Sequence, residues 1–166
     1  PAPLLPLATV YRPEHVSTDE QFMPLAALFQ TPRTELQRET VLEPNQLLTH
    51  IRIPRLQTLN ATYEVRHGEG PDYPLVAAAA ALRIESGVVQ QAAIVLGQVA
   101  PVPWFSAEAV RAIAGRPVTE ETAAAVGEAA VASATPLAHN GYKVQLAQVA
   151  VKRAILSAAG LETGGF

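Results

Sequence analysis

The 166-residue chain predicts an α+β fold, a small antiparallel sheet of three to four strands packed against three C-terminal helices and preceded by the remnant of a second domain. Three observations predict it. Between residues 74 and 115 two apolar runs flank Ser86-Gly87, as in a β-hairpin. Beyond residue 105 come three stretches of helical periodicity, each preceded by a capping residue. Before Asn45 lie seven of the 14 prolines, in a segment that offers no sheet of its own.

The elements follow in chain order. Residues 7–11 have strand composition, ended by Arg12-Pro13, and residues 14–21 are polar enough for a mobile loop. Residues 24–29 form a short apolar piece. Neither apolar segment has an evident partner within this half, and two unpaired strands do not make a stable sheet, so residues 1–44 belong with a neighbouring domain. A cleaner domain opens at Asn45. Leu47 and Leu48 precede His50-Ile-Arg-Ile53, whose alternation marks a half-buried strand stopped by Pro54. A second strand is expected over residues 61–66, where Tyr63 and Val65 alternate with Glu64 and Arg66. The loop at residues 67–72 then leads to the hairpin. Its small residues, Ala77 to Ala81, Ala92, Ala93 and Gly97, allow another layer to approach closely, while Leu82, Ile84, Ile94 and Leu96 supply larger knobs. Alanine is also the best helix former, which makes a helix over residues 76–82 the competing reading. Gly87 and Gly97 punctuate the region too closely for it.

Ser106 caps the first helix, with Glu108 in its first turn and Gly115 at its end. Thr119 caps the second, followed by Glu120 and Glu121, and Ala123, Val126, Ala130 and Ala134 form a narrow stripe. Asn140 is placed to cap the third, whose face is Ala147, Val151, Ala154, Ile155 and Ala158, with Lys152 and Arg153 toward the negative pole of the dipole. Residues 161–166 form a frayed tail.

Composition narrows the function. Apolar residues make up 49% and charged ones 16%, enough hydrophobicity to order a domain. A formal net charge of −3 without a basic cluster argues against nucleic acid as a partner, and no apolar run approaches the roughly 20 residues of a membrane helix. The chain has no cysteine, so it contains no disulfide, thiolate metal site or cysteine nucleophile. It begins at Pro1 without a leader-like segment, suggesting a fragment or a processed chain, and a cytoplasmic location is expected with export left open. His15, His50, His67 and His139 show no ligand spacing, and no metal site is expected. Ser106 lies in no G-x-S-x-G elbow, and Glu120-Glu121 have the position of helix-start carboxylates rather than of an acid/base pair. Gly68-Glu-Gly70 lacks the third glycine and following helix of a phosphate loop. No catalytic residue is visible in the motifs.

Several passages, in order, resemble a known family. Glu39-Thr-Val-Leu-Glu-Pro-Asn-Gln-Leu-Leu-Thr-His-Ile-Arg-Ile-Pro54 resembles the L-x-P-G-E-L-I-x-x-I-x-I-P passage of the FAD-binding subunit of molybdenum hydroxylases, the xanthine dehydrogenase, aldehyde oxidase and carbon monoxide dehydrogenase group. Tyr63-Glu-Val-Arg66 is similar to its Y-x-K-V-R and Asp72-Tyr-Pro-Leu-Val76 to its D-F-A-L-V. Leu96-Gly-Gln-Val-Ala-Pro-Val-Pro-Trp104 resembles L-G-G-V-A-x-x-P-W, Asn140-Gly-Tyr-Lys143 resembles N-x-Y-K, and Lys152-Arg-Ala154 the closing R-R-A. The similarity spans about residues 7–160.

The resemblance implies that residues 45–160 are the C-terminal domain of such a subunit and residues 1–44 the tail of the preceding FAD-binding domain. It implies FAD as the cofactor, with its pyrophosphate loops absent here, and a molybdenum cofactor and 2Fe–2S clusters in the partner subunits. Electrons in the family pass from molybdenum through the iron–sulfur centres to FAD and on to an acceptor, and the C-terminal domain covers the flavin and docks to the molybdenum-cofactor and iron–sulfur subunits. Carried over by position, Leu47 and Leu48 match the apolar pair against the isoalloxazine, although both also suit an ordinary core. Glu64 stands where relatives often carry lysine, a change that disfavours negative charge on a nearby reduced flavin. Asn45 and Gln46 replace the G-E of P-G-E, and Phe105 an arginine after the tryptophan. The competing reading is a stand-alone, non-catalytic interaction module whose small-residue surfaces dock on other proteins.

Overall fold

The computed structural model describes residues 7–14, 17–55, 57–68 and 70–164, with residues 7–14 and 17–21 described as backbone. Two compact units divide the chain, residues 1–56 and 57–166.

The first unit is a three-stranded antiparallel sheet in the order β2-β1-β3, made by β1 (Leu7–Glu14), β2 (Ser17–Pro24) and β3 (Leu47–Arg52), with a one-turn helix α1 (Leu25–Leu28). Four sequence expectations change here. β1 runs through Pro13 instead of stopping before it, and residues 17–21, expected as loop, are strand, because the two segments pair with each other along their length. The alternating strand near His50 adds to β1 of this sheet, not to the hairpin, so the contact boundary falls after residue 56 where composition had suggested Asn45. β3 is also mostly exposed rather than half-buried, with Leu48 its one intermediate position.

Residues 30–46 are tied back by one side chain. The Gln30 amide donates to the carbonyls of Arg38 at 3.0 Å and Thr40 at 2.9 Å, while Val41 N–H donates to the Leu28 carbonyl. Beneath this loop lies a very small core. Among the described residues of this unit Leu28 is the only buried apolar one, with Met23, Leu25, Phe29, Leu42 and Leu48 packed around it.

The second unit has the predicted architecture. A four-stranded antiparallel sheet in the order β4-β5-β6-β7 is formed by β4 (Leu59–Val65), β5 (Val76–Glu85), β6 (Val88–Gly97) and the two-residue β7 (Trp104–Phe105). The hairpin is real and the helix over residues 76–82 is not: β5 pairs with β6 from Ala77↔Gly97 to Glu85↔Val88. Its turn needs two positive φ angles, +51 at Ser86 and +78 at Gly87, the pairing that matches the right-handed twist of the flanking strands. Val76, Ala78, Ala80 and Leu82 alternate inward with Ile94 and Leu96 of β6, and one face of the sheet is covered by helices.

Those helices are α2 (Ala107–Ile113), α3 (Glu120–Ala130) and α4 (Tyr142–Ala158). The Ser106 hydroxyl, fully buried, accepts from Ala109 N–H at 3.1 Å, and Gly115 follows α2 at φ +71. α2 is bound to β6 at both ends: Ser106 N–H donates to the Ile94 carbonyl, Gly115 N–H to that of Val89, and Val89 N–H to that of Arg116. Thr119 caps α3 by accepting from Thr122 N–H, and Glu121 in the first turn is held below the usual carboxylate range by its own backbone N–H, by the Thr119 hydroxyl and by the charge of Lys152. The α3 stripe ends at Ala130, so Ala134 lies beyond the helix and is exposed.

α4 departs from expectation at both ends. Asn140 does not cap it; its side-chain oxygen accepts from Leu137 N–H at 2.6 Å and closes the preceding turn, and Gly141 occupies the cap position. Lys152 and Arg153 lie before the last turn and act laterally instead of on the dipole: Lys152 Nζ donates to Glu120 of α3 at 2.8 Å, and Arg153 reaches Tyr63 of β4. The predicted face of Ala147, Val151, Ala154, Ile155 and Ala158 is buried throughout. α3 and α4 approach so closely at Gly127 that a Cβ there would lie 2.5 Å from the Gln148 carbonyl oxygen. Residues 161–164 carry no regular structure after Gly160 at φ +72, and the end of the expected tail lies outside the described residues.

Candidate functional site

Leu47 and Leu48 sit at the start of β3, where successive side chains point to opposite faces. Leu48 opposes Val10 and turns into the small core around Leu28; Leu47 opposes Tyr11 and is 62% exposed. The register slips one residue after this pair, Thr9 opposing His50 while Val10 opposes Leu48, which leaves Thr49 unmatched. The two leucines therefore cannot lie side by side against one planar ring. Leu47 is the one presented outward, and Ile51, half exposed, adds further apolar surface to β3. Arg52 extends over the Phe22 ring, its guanidinium carbon 5.0 Å from the centroid.

Glu64 is on the sheet face away from the helices, opposite Ala77, with its charge already matched. Arg66 donates to the same carboxylate oxygen from Nε at 2.9 Å and Nη2 at 2.6 Å. The anionic position expected from sequence is an exposed ion pair, so its net charge is cancelled locally.

The remaining motif passages meet in space. Gln98 takes φ +59, a left-handed conformation, at the place where the family pattern has its second glycine. Its carbonyl accepts from Lys143 Nζ at 2.9 Å, which joins the Leu96–Trp104 passage to the Asn140–Lys143 passage across 45 positions. Together they border a cleft of about 340 Å³ between the β6–β7 bend, the end of α3 and the start of α4. Tyr63 and Arg153, from two further passages, form a second junction: Arg153 donates to the Tyr63 hydroxyl and stacks on its ring at 5.1 Å. The search for catalytic groups missed the cleft because its polar members serve as hydrogen-bonding and lining groups. The signal that finds it is a glutamine where the pattern has glycine.

Other candidates take structural places. Ser106 is a buried cap and Glu120 pairs with Lys152. Among the described residues no three His, Asp or Glu side chains converge on a metal position, and no helix is long and apolar enough to cross a membrane.

Comparison with known proteins puts this geometry in a family. Residues 61–158 match the CO dehydrogenase flavoprotein C-terminal domain. The chain is 33% identical over 121 residues to the carbon monoxide dehydrogenase medium chain of Afipia carboxidovorans, covering 70% of this chain and 42% of that one. Among solved structures, quinoline 2-oxidoreductase from Pseudomonas putida 86 superposes with a TM-score of 0.80 at 24% identity, over 95% of this chain and 53% of that one. Carbon monoxide dehydrogenase from Hydrogenophaga pseudoflava, in a form lacking the Mo-pyranopterin moiety, gives 0.79 at 25% identity with the same coverage. The chain thus spans about half the length of these relatives. Strands β5 to β7, helices α2 to α4 and the motif passages from Tyr63 onward lie within the matched region, and the chain belongs to the CO dehydrogenase flavoprotein C-terminal domain family.

Proposed function

We propose that this chain acts as the C-terminal part of the FAD-binding subunit of a molybdenum hydroxylase, covering the flavin and docking to molybdenum-cofactor and iron–sulfur subunits. The observation that carries the reading is the family match over residues 61–158, reinforced by the meeting of the distant motif passages at Lys143–Gln98 and Arg153–Tyr63. FAD, when bound, supplies the electron-transfer chemistry. The described residues fit one part of it: outward-facing Leu47 offers apolar surface for a ring edge and excludes water there. The pyrophosphate is then held by the portion of the subunit that the relatives carry beyond this half. Leu48 acts through packing on Leu28, and in the second unit the Glu64–Arg66 pair keeps its own sheet face neutral.

The test uses the intact subunit that contains this chain. It purifies with one flavin, and Leu47→Asp lowers the flavin content or its binding constant about tenfold, the loss of one apolar contact plus the burial of a charge. The 166-residue chain alone, incubated with FAD and then freed of unbound flavin by gel filtration, is colourless. Tight stoichiometric FAD binding by the isolated chain, or an intact subunit without flavin, overturns the reading.

A further inference from the structure

The starting point is the Lys143 ammonium. Gln98 adopts a backbone conformation that L side chains rarely take, and its carbonyl oxygen receives one N–H of Lys143 at 2.9 Å. An ammonium has three donors, so two remain, and among the described residues no carboxylate pairs with it. The cleft that it borders has the size of a small-molecule pocket. Trp104, 43% exposed, lines it together with the apolar residues Val99, Pro101 and Ala134 and with Thr135. No Asp or Glu lines it, although the chain as a whole has a formal net charge of −3.

We propose that this cleft binds a small aromatic carboxylate, the ring against Trp104 and the carboxylate on Lys143. A single compact cation matches a monoanion. A phosphate or a dicarboxylate calls for a second cation or the planar fork of an arginine, and the lining has neither. A half-exposed tryptophan and a proline in the lining favour a flat body over an extended polar one. This site is separate from the flavin reading and does not depend on it.

Trp104 is the only tryptophan of the chain, so its emission reports on the cleft directly. The 166-residue chain is titrated with phenylacetate, with phenylacetamide (the same ring without charge) and with acetate (the charge without the ring). Phenylacetate gives a saturable change, and phenylacetamide binds about tenfold more weakly, as does phenylacetate to Lys143→Gln, the loss expected for one charge-assisted contact. Acetate gives no saturable change. A linear, non-saturating response to phenylacetate, an equal response to acetate, or unchanged binding in a Lys143→Gln variant with an unaltered circular-dichroism melt overturns the proposal. Should that variant fail to fold, equilibrium dialysis of the unmodified chain decides, and equal retention of phenylacetate and phenylacetamide refutes the site.

Discussion

Arg153 on α4 lies over the ring of Tyr63 on β4, its guanidinium carbon 5.1 Å from the ring centroid, while it donates a hydrogen bond to the phenol oxygen. Ninety positions apart in sequence, the two residues join the last helix to the outer strand of the sheet. The contact combines a cation–π attraction with a charge-assisted hydrogen bond at a partly buried site. Arg153→Ala is expected to destabilise the fold by roughly 1–3 kcal/mol, and Tyr63→Phe, which keeps the ring and removes the acceptor, by about 1 kcal/mol. Urea denaturation of the two variants and of the double variant checks this; a double-variant loss equal to the sum of the single ones would show that the residues are not coupled.

Gly127 gives a test of opposite intuition. In an isolated helix alanine would improve on glycine by about 1 kcal/mol. Here the added methyl carbon would lie 2.5 Å from a backbone oxygen of α4, and neither backbone has a flexible end to yield. Gly127→Ala is therefore expected to be destabilising by roughly 2 kcal/mol, read as a lower melting temperature.

Gln98 predicts a gain. A left-handed residue with a Cβ costs about 1 kcal/mol relative to glycine, so Gln98→Gly should stabilise the chain by roughly 0.5–1 kcal/mol in denaturant melts while keeping the carbonyl that Lys143 holds.

The first turn of α3 predicts a pH dependence. Glu121 is held below its ordinary value first by its own backbone N–H, then by the Thr119 hydroxyl and by Lys152. A carboxyl whose folded pKa is depressed favours the folded state above its unfolded pKa, near 4.3, and that contribution disappears as pH falls through the lower folded value. An NMR titration of the side-chain carboxyl should show a midpoint below that of a peptide glutamate, and Thr119→Ala should move it upward.

The second unit was legible in the sequence because most of its local signals agreed with the global one. Ser106 and Thr119 cap where capping chemistry predicts, Ser86-Gly87 turns where a tight reversal needs positive φ, and the α4 face is buried as its spacing implies. The first unit was not legible, since strand pairing is non-local: polar residues 17–21 read as loop until β1 supplies their partner, and the strand at Leu47 reads as part of the nearest sheet in sequence. Asn140 misled for a different reason. A side chain able to cap a helix can equally close the turn before it, and spacing does not separate the two. The Leu47–Leu48 pair was found through resemblance alone, and only the strand register shows that its members face opposite ways.

The alanines of β5 determine how this sheet can change. Where Ala78 and Ala80 face inward beneath α4, the methyl groups have no rotamers to freeze, so closing that seam sacrifices almost no side-chain freedom. At Ala78 and Ala80, each 2% exposed, a longer side chain has no solvent to turn into. Trimming such a surface alters little, but any bulkier residue has to prise the layers apart, which makes thickness, not hydrophobicity, the property that this interface holds constant.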